Sequence, residues 1–174
     1  EMFSDFESWS AATRGQQAYL LKTQIEILRR RKYRPGGGFT FDSLFDPRYE
    51  TTSGVIDQRG NFKPAYNAVS TACAETIIIA DPFFDLIANE QRVATNVTAI
   101  HDGREPIEQA LVTARLTIED ETHINKWEGN IEADAAKHIG RIEYAIPRDV
   151  ESVNLILELE SEEATAYNQY TYTK

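Results

Sequence analysis

Asp42 and Asp46 come nearest, in type and spacing, to groups that could do chemistry. They lie in the stretch 39–45 and its exit, where aromatic and β-branched residues predict a strand. Four residues apart on a strand means the same face, but also a separation of about 13 Å. Two carboxyls that act on one bond as acid and nucleophile stand about 5–5.5 Å apart, so these two are too far apart to form such a pair. Asp46, before Pro47, reads either as a hydrogen-bonding acid at the rim of a site or as a turn-forming Asp. Asp42 reads as part of a polar site or as a group facing solvent. Both are candidate substrate-binding residues, and no catalytic residue is expected in the chain.

Other reactive side chains carry less. His101, His123 and His138 fall on three separate predicted strands without the spacing of a ligand set, so no metal or cofactor is expected. The cluster Arg29-Arg30-Arg31-Lys32 with Arg34 could hold phosphate, but it closes a predicted helix, where cations complement the C-terminal dipole. Asn96-Val97-Thr98 matches a glycosylation sequon inside a predicted strand. Trp127, Tyr167, Tyr170 and Tyr172 could stack on a sugar, although packing in a sheet is the favoured reading. Cys73 is the single cysteine, which excludes an intrachain disulfide. A cytoplasmic location is expected over a secreted one, though a secreted protein without disulfides stays open.

The net charge of −10 is uneven. Residues 1–80 hold 10 basic and 9 acidic side chains, and residues 81–174 hold 8 and 19. That asymmetry suits two modules, and the acidic half argues against nucleic acid as a partner. The longest apolar run, Ile77 to Ala80, is far short of the roughly 20 residues of a membrane helix, so no membrane partner is expected either.

These groups must be positioned by a small set of elements. Ser4 and Asp5 are N-cap residues, and Ala18, Leu21, Ile25 and Leu28 recur at helical spacing up to Lys32. Pro35 and Gly36-Gly37-Gly38 stop that helix. After the 39–45 strand, Gln58-Arg59-Gly60-Asn61 is a turn, and Pro64 opens a second helix carrying Tyr66, Val69 and Ala72. Strands follow at 77–80, 92–101, 109–119, 123–132, 138–146, 152–160 and 165–173. Their alternation predicts a sandwich core of Val97, Ala99, Leu116, Ile118, Ile142, Leu155, Leu157 and Tyr170. The first 80 residues would leave a helix stripe and a lone strand half covered, so they are expected to belong to something larger.

The run Gln17-Ala18-Tyr19-Leu20-Leu21-Lys22, then Ile25-Glu26-Ile27-Leu28-Arg29-Arg30 and Tyr33-Arg34-Pro35-Gly36-Gly37-Gly38-Phe39, resembles the last helix and eighth barrel strand of glycoside hydrolase family 2. Ser53-Gly54-Val55-Ile56-Asp57 and Gly60-Asn61-Phe62-Lys63-Pro64-Ala65-Tyr66 are similar to its segment leaving the barrel. Gly140-Arg141-Ile142 and Asn168-Gln169-Tyr170 resemble late-strand features of the sandwiches that end such enzymes. The resemblance is more specific over 17–70 than over 81–174, with β-mannosidases the nearest subgroup. It implies an α+β fragment: the terminal helix–strand–helix of a (β/α)8 barrel over 1–80, followed by an antiparallel immunoglobulin-like β-sandwich over 81–174.

The family's catalytic carboxyls end the fourth and seventh barrel strands and would precede residue 1, with Glu1 at most a trimmed remnant of that region. There is a departure as well. Asp42 and Leu44 stand where the family places an aromatic platform, and Gly54 replaces a common Trp. Either the parent has an unusual subsite or it hydrolyses sugars poorly. The expectation is thus a non-catalytic, structural C-terminal piece of a β-glycosidase that meets carbohydrate through its parent. A carbohydrate-binding module and a protein-interaction module are the alternatives. The face of the first helix is open to homodimerisation.

Overall fold

The computed structural model describes residues 3–47, 53–84, 87 and 91–174. The chain divides into two compact units, Glu1–Ala74 and Glu75–Lys174.

The first unit is built on two helices. In α1, Phe6–Arg30, Asp5 and Ser8 form a reciprocal capping box, with Glu7 in the first turn and Arg29 and Arg30 in the last. These charges lie at the ends that the helix dipole favours. In α2, Pro64–Ala72, Pro64 sits at the start, where its missing N–H costs nothing. Ile25 of α1 is buried, as are Ala65 and Ala72 of α2. Ala18, Leu21, Tyr66 and Val69 pack around Val55, Ile56 and Ala65. The predicted apolar stripe is therefore only partly used, because Leu28 remains 44% exposed. Arg29 turns inward instead, and its Nη1 donates to the carbonyl of Ala72 at 2.6 Å. A cation thus meets the C-terminal end of α2.

The strand predicted at 39–45 does not form. A strand needs a partner for its backbone groups, and in the described unit only its last residues have one. The N–H groups of Val55 and Ile56 donate to the carbonyl of Leu44, and the N–H of Asp46 donates to Ile56. Single bridges join Phe45 to Ile56 and Ile56 to Phe62.

The second unit is a sandwich of antiparallel strands: β1 Thr76–Ala80, β2 Arg92–His101, β3 Ile107–Ile118, β4 Glu121–Ile131, β5 Ala135–Ala145, β6 Ser152–Glu160 and β7 Thr165–Thr173. One sheet has the order β1-β2-β5 and the other β4-β3-β6-β7. Their inner faces share one core, in which Val97, Ala99, Leu116, Ile118, Ile142, Leu155 and Leu157 are buried and Tyr170 packs at the margin. Burying each of these valine, leucine and isoleucine side chains contributes about 1.5–3 kcal/mol relative to leaving it in water.

The sequence reading ends the first part at residue 80. In the structure, Thr76–Ala80 is paired residue for residue with β2, and Ile78 and Ala80 face the sandwich core. Ile77 and Ile79 form a separate buried cluster with Ile100. The sandwich is stitched along both sides by side chains. On one side Asn168 Nδ2 donates to the carbonyl of Ile78 at 2.9 Å, and the N–H of Ala80 donates to the Tyr170 hydroxyl at 3.1 Å. On the other, the Tyr144 hydroxyl donates to Asn125 Oδ1 at 3.2 Å, and the His123 and Tyr144 rings stack 4.3 Å apart.

Candidate functional site

The candidate site lies where residues 44–47 meet residues 54–63, just ahead of α2. Asp46 is buried, and its carboxylate is ion-paired with the Lys63 ammonium. Their side chains are only 7% and 6% exposed. Taking both charges out of water is costly unless each has its partner. Gly54 makes room for the pair: a Cβ there would lie 2.5 Å from the Asp46 nitrogen and 2.6 Å from its Oδ1. Lys63 is also the N-cap residue of α2, and its N–H donates to the carbonyl of Val55. One lysine thus ties the end of the extended segment to the start of the helix.

Asp42 is exposed. The expectation that Asp42 and Asp46 share a face is therefore corrected: with no regular strand between them, alternation does not set their directions. Asp46 is a buried, charge-paired group, while Asp42 presents its carboxylate to solvent.

The other residues quoted for the resemblance have local structural tasks. The Asp57 carboxylate accepts from Asn61 Nδ2 at 3.1 Å, from the Asn61 N–H at 2.9 Å and from the Arg59 N–H at 2.8 Å. The Asn61 side chain and N–H, followed by the Arg59 N–H, hold its pKa below the ordinary aspartate value. Gly60 adopts a φ of 83°, a conformation that favours glycine. Its N–H donates back to the carbonyl of Asp57. Asp57, Gly60, Lys63 and Pro64 together form a loop-and-cap device.

The remaining candidates do not converge. Glu1 lies outside the described residues. His101 is buried, with Nδ1 2.8 Å from Thr76 Oγ1 and Nε2 2.9 Å from the Glu105 carbonyl. A carbonyl only accepts, so Nε2 carries the proton there. His123 stacks on Tyr144, and His138 is exposed. Among the described residues, no three His, Cys, Asp or Glu stand close enough together to hold a metal ion. No helix among them is long and apolar enough to cross a membrane. Asn96 Nδ2 already donates to Asp81 Oδ2 at 2.9 Å, which engages the amide of the sequon. Tyr170, Tyr172 and Trp127 pack against the core, whereas Tyr167 is 53% exposed. A cavity of about 70 Å³ lies between β4 and β5 beside Trp127 and Lys137, well below the several hundred Å³ of an enclosing ligand site.

Sequence reasoning missed Lys63 as the partner of Asp46 and Arg29 as the cap of α2. The only signal for Lys63 was its place directly before Pro64. The only signal for Arg29 was its helical phase, four residues beyond Ile25.

No family model and no curated protein matches this sequence. Solved structures do. The β-D-mannosidase from Dictyoglomus thermophilum matches with a TM-score of 0.76 and 17% identity, covering 99% of this chain and 20% of that one. The exo-chitosanase CsxA from Amycolatopsis orientalis matches with a TM-score of 0.72 and 14% identity, covering 98% and 20%. At such identities the likeness is one of fold. The chain thus shares the fold of one part of these two enzymes, both of them members of glycoside hydrolase family 2. The chain spans about one fifth of the length of the structures it matches.

Proposed function

We propose that this chain is the C-terminal portion of a glycoside hydrolase family 2-like β-glycosidase. In this reading the first unit ends its catalytic barrel and the second unit, which includes β1, forms its immunoglobulin-like sandwich. The parent acts on carbohydrate, and this portion supports the catalytic frame without performing hydrolysis.

The observation that carries the reading is the imbalance between the two units. The described part of the first unit has five buried apolar residues, Ile25, Val55, Ile56, Ala65 and Ala72, against 24 in the second. Among the described residues, eleven of the thirteen exposed large hydrophobics also belong to it, including Phe6, Trp9, Leu20, Phe45 and Phe62. A helix pair with so much uncovered apolar surface needs further protein to cover it, and a barrel supplies that. The fold shared with the mannosidase and the exo-chitosanase over nearly the whole chain supports the same reading. A non-catalytic role is supported by the two acids. Asp46 is committed to Lys63 and Asp42 is exposed, whereas hydrolysis requires two carboxyls held to a fixed separation.

The test is an assay of the purified chain with aryl β-mannoside, β-galactoside and β-glucuronide, beside Asp42→Asn and Asp46→Asn. Turnover is expected at background. Turnover that disappears in either variant would overturn the non-catalytic reading. Sequencing the coding region upstream tests the parent: it should encode a barrel with two strand-end carboxylates, and a different domain there would overturn that part.

A further inference from the structure

We draw no further inference here: the strongest candidate, the exposed apolar side chains Phe6, Trp9, Leu20 and Leu28 along α1, is an unpartnered face for which nothing in the structure shows what covers it.

Discussion

The Asp46–Lys63 pair sets the energetics of the candidate site. Removing one member of a buried pair leaves the other charge uncompensated, which costs about 3–5 kcal/mol. Lys63→Met should therefore lower the stability of the first unit by that order. The double variant Asp46→Asn/Lys63→Met should lose clearly less than the sum of the single variants. Both described α-helices lie in this unit, so urea unfolding followed by helical circular dichroism reads it directly. Additive losses would show that the two side chains do not interact. Asp57 supplies a pH dependence whose sign follows from its depressed pKa. Its contribution is present above the unfolded-state value of an ordinary aspartate and is lost as pH falls through the lower folded value. Thermal melts of wild type and Asp57→Asn across that acid range should converge as pH drops. A constant difference between them would refute the linkage.

At the scale of elements, the sandwich carries its own core, and its strands are paired in long, nearly unbroken registers. Residues 75–174 expressed alone should fold, with slow amide exchange in β2, β3 and β6. Fast exchange throughout would show that the sandwich depends on the first unit. One irregularity is specific. The β2–β5 register shifts between Val97 and Thr98, and beside it Gly140 faces Trp127 so closely that a Cβ would overlap the indole. Gly140→Ala should displace Trp127 and shift its fluorescence to the red, with a loss of stability. An unchanged spectrum and midpoint would mean that the strand relaxes instead. These elements were legible in the sequence because period-2 alternation reports directly on a half-buried sheet. The segment 39–45 was misread because composition reports strand propensity but not the presence of a partner strand.

For the whole molecule, the chain taken without the rest of its proposed parent leaves apolar side chains of the first unit in water, and such surface promotes non-specific association at high protein concentration. The sequence leaves the Leu21, Ile25 and Leu28 face to be covered by the segment 39–45, the second helix, the sandwich or a second copy of the chain. Ile25 is buried and Leu21 packs in the small core, so of that face only Leu28 stays uncovered, beside Phe6, Trp9 and Leu20. Sedimentation velocity over a concentration series should show a rising average mass. Trp9→Glu/Leu20→Glu should suppress it without loss of helical signal. A wild type that stays monomeric throughout would refute this.

The sequence by itself determined the seven strands and the residues of the sandwich core. Both follow from local spacing: alternation and turn residues. Only the tertiary structure decided that Asp46 is ion-paired to Lys63, that Arg29 turns inward to cap α2 and that β1 joins the sandwich. Each of these depends on a partner brought close by folding, 17 residues away for Asp46 and more than 40 for Arg29. Local pattern carries no record of such a meeting, because the free energy that selects it arises only when both groups leave water together.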